Sequence, residues 1–142
     1  MTQQHGGTCI SKVKQIDGVN YVIVNPGTNV QSLLKYVKSD ASVSVKSANN
    51  GEVLGGEATL ATNQLLVANG VNEKYVIVVK GDVNADGNID WSDVLKLNKA
   101  RLGQIDINQA EFLAGDVAEN SEINVSDIIK LNKFRLGQIS NL

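Results

Sequence analysis

The chain contains a copy of part of itself. Residues 81–105, GDVNADGNIDWSDVLKLNKARLGQI, and residues 115–139, GDVAENSEINVSDIIKLNKFRLGQI, align without a gap and agree at 15 of 25 positions. Two copies are too few for a stacked solenoid, so they must form one paired unit. In each copy a polar loop leads into a helical pattern. The first predicted helix runs from about Ser92 to Leu102, with Val94, Leu97 and Arg101 on one side and Leu95, Asn98 and Leu102 on another, and Gly103 stops it. The second carries Ile128, Ile129, Leu131, Phe134 and Leu136 and is stopped by Gly137. Between them Asn108 and Glu111 are spaced as a capping box, which predicts a short helix through Phe112, Leu113 and Ala114.

The first loop sets out metal-ligand chemistry. From Asp82 to Asp93, oxygen-bearing side chains fall at positions one, three, five, nine and twelve: Asp82, Asn84, Asp86, Asp90 and Asp93. Gly87 stands at position six, where an EF-hand loop turns sharply, and Ile89 at position eight is the apolar residue expected to face Ile123. A hard cation that takes six to eight oxygens is served by this spacing, because alternate residues of a tight loop point inward. A plain Asp/Asn/Gly turn does not need so many oxygens in that register.

Composition removes other functions. Net charge is -2 and basic residues are scattered, so nucleic-acid binding has little electrostatic support. No apolar run approaches the roughly 20 residues of a membrane span. Cys9 and His5 are the sole cysteine and histidine, both in the aperiodic stretch MTQQHGGTCIS. No disulfide can form within the chain, and a Ser-His or Cys-His catalytic pair has no framework. No enzyme is expected. A calcium sensor would expose a Met-rich groove, yet Met1 is the only methionine. No signal peptide is visible, so compartment rests on the motifs.

Residues 17–80 read as a second unit. Asn20–Val24 predicts a strand, and Val30, Leu33, Leu34 and Val37 form a helical stripe after a Thr28/Gln31 capping box. Residues 41–46, 64–68 and 75–79 predict further strands, with Asn50-Gly51, Gly55-Gly56 and Asn69-Gly70 as turns. One Trp, three Tyr and two Phe do not make an aromatic sugar-binding face. Almost no linker separates this unit from Asp82, so the two should touch.

The paired loop–helix repeat, lacking a helix before its first loop and carrying Asp93 and Asp127 at position twelve, resembles a type I-like dockerin over residues 81 to about 139. The pattern Gly27 to Leu34 is similar to the small X-type modules that precede dockerins. The resemblance implies an α+β chain: residues 1–11 a disordered terminus or cloning scar, 12–80 a small mixed sheet-plus-helix module, and 81–142 an all-α three-helix dockerin with paired EF-hand-like loops. It implies a calcium-dependent docking function, with a cohesin domain of a scaffoldin or cell-surface protein as partner, in a secreted cellulosome-like system. The alternative is a structural or sensor calcium domain without a cohesin partner. The implied calcium ligands are Asp82, Asn84, Asp86, the carbonyl of Asn88, Asp90 and Asp93 in the first loop. In the second they are Asp116, Asn120, the carbonyl of Glu122, Asn124 and Asp127. There Ala118 removes the position-three oxygen and Ser121 replaces the turn glycine, so a weak or empty second site is expected. The implied partner-binding residues are Trp91, Ser92, Asn98 and Lys99 and their counterparts Val125, Ser126, Asn132 and Lys133. No nucleic acid or membrane contact is expected, and the unbound chain should be a monomer.

Overall fold

The computed structural model describes residues 10–36, 43–47, 51–68, 75–140 and 142. Five strands, β1 (Ile10–Ile16), β2 (Val19–Val24), β3 (Val43–Lys46), β4 (Leu65–Ala68) and β5 (Tyr75–Val79), form one mixed sheet in the order β1-β2-β5-β4-β3. β2 and β5 run parallel, with Val22 beside Ile77 and Val24 beside Val79, and the other pairings are antiparallel. Both central strands read as near-continuous apolar runs because both of their faces are covered. Val22, Val24, Ile77 and Val79 face one core with Val30, Leu33, Val45 and Leu60. Tyr21, Ile23 and Val78 face the other.

β1 is a strand that the sequence reading did not anticipate. It begins at Ile10, inside the stretch read as an unstructured terminus, and residues 1–9 lie outside the described residues. Lys14 and Gln15 are exposed and Val13 is 57% exposed, so an apolar alternation is missing, as suits a sheet edge. Asp17 and Gly18, with φ of 51° and 80°, supply the left-handed turn that joins it tightly to β2. Helix α1 (Val30–Tyr36) buries Val30 and Leu33. Its cap is Asn29, whose side chain accepts from the Ser32 N–H at 2.9 Å, rather than Thr28, whose hydroxyl donates to the Asn25 carbonyl at 2.7 Å. Val37, residues 41 and 42, Asn50 and the Asn69-Gly70 turn lie outside the described residues.

Three helices follow: α2 (Trp91–Arg101), α3 (Gln109–Gly115) and α4 (Val125–Arg135). α2 and α4 close over Val83, Val94, Leu97, Val117 and Leu131, with Ile89 and Ile123 beside them. Each repeat's leading glycine touches a leucine of the other repeat. A Cβ on Gly81 would lie 2.8 Å from Leu131, and one on Gly115 would lie 2.5 Å from Leu97. The repeat therefore interlocks across its two copies.

The expected fold class needs correction. The chain is not a sheet-plus-helix module followed by a self-contained all-α three-helix unit. It holds a five-stranded mixed sheet and four helices, and α3 is a layer of that sheet. Ala110, Leu113 and Ala114 share one core with Tyr21, Ile23 and Val78. Without α3, the second face of β2 and β5 would expose its apolar side chains, and the small residues of α3 allow close approach.

Candidate metal centre and docking surface

The first loop is wound around two buried carboxylates. Asp82 and Asp93 have no exposed surface. Asp82 Oδ1 accepts from the Asp86 N–H at 3.1 Å and its Oδ2 from the Gly87 N–H at 3.0 Å. Asp93 Oδ1 accepts from the Asn84 N–H at 3.1 Å and Oδ2 from the Asp90 N–H at 2.9 Å. Carboxylate oxygens of Asp82, Asp86 and Asp93 lie within 4.8 Å of one another. Asn84 is held against Asp86 by its own side-chain amide at 3.2 Å, and the Asn88 N–H binds Asp86 at 2.9 Å. Asp90 caps α2, accepting from the Ser92 N–H at 3.0 Å in a reciprocal capping box with Asp93. Loop and helix are thus one element, with the position-nine and position-twelve residues serving both.

Electrostatics show what this arrangement lacks. Burial pushes the Asp93 carboxyl up to about 7, against the pull of the Asp90 and Asn84 N–H groups, and the charges of Asp82 and Asp86 add to the rise. Burial likewise raises Asp82 to about 6, against N–H donors from Thr62, Gly87 and Asp86. No lysine or arginine is among the groups that set these values. Among the described residues these buried carboxylates draw on main-chain N–H donors and no lysine or arginine, and with their oxygens converging they fit a hard cation such as calcium. The residues present fit the group.

The second loop repeats the scaffold with fewer carboxylates. Asp116 accepts from the Asn120 and Ser121 N–H groups at 3.1 and 2.9 Å, and Asp127 from Ala118 and Asn124, both at 2.9 Å. Asn124 caps α4 as Asp90 caps α2. Asn120 accepts from the Glu122 N–H at 3.1 Å. Ser121 adopts φ 64° where Gly87 has 82°, which costs a non-glycine residue roughly 1 kcal/mol. Of the residues expected to offer side-chain oxygens there, only Asp116 and Asp127 are carboxylates, since Glu122 is expected to offer its carbonyl.

α2 and α4 also present a pseudo-symmetric apolar surface. Trp91 is 56% exposed and its counterpart Val125 51%. Leu95 and Ile129, and Leu102 and Leu136, form two further exposed pairs. Trp91, Leu95 and Asn98 from α2 and Ile129 and Asn132 from α4 line one groove. Asn98 and Asn132 are fixed by their own helices, accepting from Arg101 and Arg135 at 2.8 and 2.7 Å. Ser92, Lys99, Ser126 and Lys133 are exposed around them. Leu95 and Ile129 were not among the residues implied by the resemblance. The signal was in the sequence, since they are apolar one turn beyond Trp91 and Val125 in both copies. Arg135 lies 5.3 Å from the centre of the Trp91 ring, a cation–π contact that Val125 cannot offer Arg101.

Among the described residues, no helix is long and apolar enough to cross a membrane. No curated protein matches the chain. A solved structure of the third cohesin of ScaC in complex with the ScaB dockerin, mutated in its N-terminal helix, from Acetivibrio cellulolyticus is similar over 46% of this chain and 92% of that one. It is 27% identical, with a TM-score of 0.43. The family description "Dockerin type I domain" matches residues 80–135, which span both loops, α2, α3 and α4 up to its last residue. Together with the duplicated loop–helix geometry, that match makes residues 80–135 a dockerin type I domain.

Proposed function

We propose that this chain is a calcium-dependent docking module that binds a cohesin domain and thereby anchors its parent protein to a scaffoldin or cell-surface complex outside the cell. Dockerin domains are non-catalytic, bind calcium and belong to extracellular cellulosome systems. The observation that carries the reading is the pairing of two buried-carboxylate loops with a duplicated, exposed apolar surface on the helices those loops begin.

In this reading Asp82, Asn84, Asp86, Asp90, Asp93 and the carbonyl of Asn88 hold one calcium ion. Asp116, Asn120, Asn124, Asp127 and the carbonyl of Glu122 form a weaker second site. Bound calcium supplies the countercharge that Asp82 and Asp93 lack. The capping boxes at Asp90/Asp93 and Asn124/Asp127 pass loop order directly into α2 and α4. Those helices then hold Trp91, Ser92, Leu95, Asn98 and Lys99 and their counterparts Val125, Ser126, Ile129, Asn132 and Lys133 in one surface. Residues 12–80 accompany the docking half as a supporting module.

Binding of the intact chain to a panel of cohesins, in calcium and in chelator, tests this reading. At least one cohesin should bind in calcium with a micromolar or tighter dissociation constant and release in chelator. Binding that is indifferent to calcium, or calcium uptake with no cohesin bound at any concentration, would replace it with the structural or sensor alternative.

A further inference from the structure

The two loops share their sequence register and most of their internal hydrogen bonds; the first adds the Asn84–Asp86 pair, which Ala118 cannot make, and one contact from outside the loop. Asp82 Oδ2 accepts a further hydrogen bond, at 3.0 Å, from the backbone N–H of Thr62, twenty residues earlier and on the sheet side of the molecule. Among the described residues, Asp116 receives N–H donors from its own loop alone. The Thr62 turn meets the first loop at a second point, since a Cβ on Gly87 would lie 3.3 Å from the Leu60 carbonyl. It meets the start of α3 at a third. The Asn63 side chain donates to Glu111 at 3.3 Å and accepts from Asn108, the α3 cap, at 3.0 Å. The turn is itself pinned to the sheet. The Thr62 hydroxyl accepts from the Val79 N–H at 3.1 Å, and the Asn63 N–H donates to the Ile77 carbonyl at 2.9 Å.

We infer that the Leu60–Gln64 turn is a positioning element for the first metal loop, and that the Thr62 N–H orients Asp82 so that calcium affinity at this loop depends on this turn. The inference rests on reading the first loop as a calcium site. A main-chain donor fixed by β5 holds one carboxylate oxygen in place before metal arrives, so less ordering is left to the binding step. Groups that orient metal ligands in this way typically change affinity by about 10- to 100-fold. The coupling is reciprocal, so calcium at the first loop also orders the turn.

The turn's geometry supplies a clean test. Asn63 has φ 78°, Thr62 is not among the residues of positive φ, and the Gln64 N–H reaches the Ala61 carbonyl at 3.4 Å. That is a type II turn with Thr62 at its second position, where proline is favoured. In the full chain, Thr62→Pro removes the N–H together with the hydroxyl, whereas Thr62→Val removes the hydroxyl alone. Calcium titration by calorimetry should show first-site affinity about tenfold weaker in Thr62→Pro than in Thr62→Val. Equal affinities would overturn the positioning role and leave the calcium site standing. Asp86→Ala separates the two claims, because tight first-site binding that survives this change would remove the site itself and the inference with it. Should Thr62→Pro not fold, hydrogen exchange in the unmodified chain decides. Calcium should slow exchange of the Thr62 amide at least tenfold, and an unchanged rate would overturn the inference.

Discussion

Trp91 and Val125 hold the same place in the two copies and have nearly the same exposure, yet they differ in what a partner gains from them. A tryptophan seated in a pocket is worth 2 kcal/mol or more on truncation, and a valine usually brings less. Arg135 already lies against the Trp91 ring, so part of its side chain is ordered before any partner arrives. Trp91→Ala is therefore expected to weaken cohesin binding about 30-fold, and Val125→Ala less than fivefold, with calcium binding intact in both. Equal losses would mean that a cohesin docks in either of two orientations related by the pseudo-two-fold. The buried carboxylates set a second test at this scale. Asp82 and Asp93 stand near 6 and 7 in the calcium-free fold against an ordinary value of 3.8. Raised values mean that the folded state binds more protons than the unfolded chain between those limits, so calcium-free stability falls as pH rises from about 4 to about 7. With calcium the requirement reverses, since the ligands must be ionised. The thermal midpoint of calcium-free protein should be higher at pH 5 than at pH 8. With calcium at a fixed level, pH 8 should give the larger calcium-induced gain. A calcium-free midpoint that rises with pH would contradict the assignment.

At the scale of elements, what was legible and what was not divide along locality. The loops and α2 and α4 were readable because ligand spacing, capping residue and stop glycine all lie within one 25-residue copy. The α3 cap, Asn108 with Glu111, was readable for the same reason. β1 was missed because an edge strand bearing Lys14 and Gln15 shows no apolar alternation, and its only strong marker is the Asp17-Gly18 turn. The seat of α3 on the sheet was not readable from helix pattern, because Ala110, Leu113 and Ala114 would suit any apolar face. Thr62 left no trace, since every residue but proline carries the same N–H. The interlock of the copies was half visible. Gly81 and Gly115 were identical positions of the repeat, but only packing shows Leu131 and Leu97 against them. Gly81 has φ 83° and its missing Cβ would strike Leu131 and Leu142, so Gly81→Ala combines backbone strain with overpacking. A loss of about 2–3 kcal/mol is expected. Gly103→Ala, with φ 76° and open space around it, should cost only about 1 kcal/mol. Chemical denaturation in calcium measures both. Equal costs would mean that the Gly81–Leu131 contact yields without strain.

At the scale of the whole molecule, the boundary of calcium dependence does not follow the boundary of the repeat. α3 belongs to the dockerin sequence but shares a core with β2 and β5, and the Gly81 N–H donates to its Ala114 carbonyl at 2.8 Å. Asn63 ties its first turn to the sheet side as well. Among the described residues, α2 and α4 share no core with the sheet. Their core is Val83, Val94, Leu97, Val117 and Leu131, and their first turns grow from the carboxylate loops. A half-buried ion pair, Lys96 with Glu111 at 3.2 Å, joins α2 to α3, and such a pair contributes about 1 kcal/mol at most. Like charges about 4 Å apart repel by roughly 4 kcal/mol at an effective dielectric near 20, while calcium at a thousand times its dissociation constant contributes about 4 kcal/mol of stability. These terms are a large share of the 5–15 kcal/mol typical of a domain. Chelation should therefore lower the stability of α2 and α4 selectively, so that they unfold first on heating while the sheet with α1 and α3 stays folded. Calorimetry should show one transition in calcium and a separate, lower one in chelator. Hydrogen exchange should place the early loss in residues 91–101 and 125–135, with Ala110–Ala114 still protected alongside β5. If α3 exchanges together with α2 and α4, the dockerin sequence unfolds as a unit and α3 is only a lodger on the sheet. If nothing is lost in chelator, the two loops hold their shape without calcium and the metal is not what organises the docking surface.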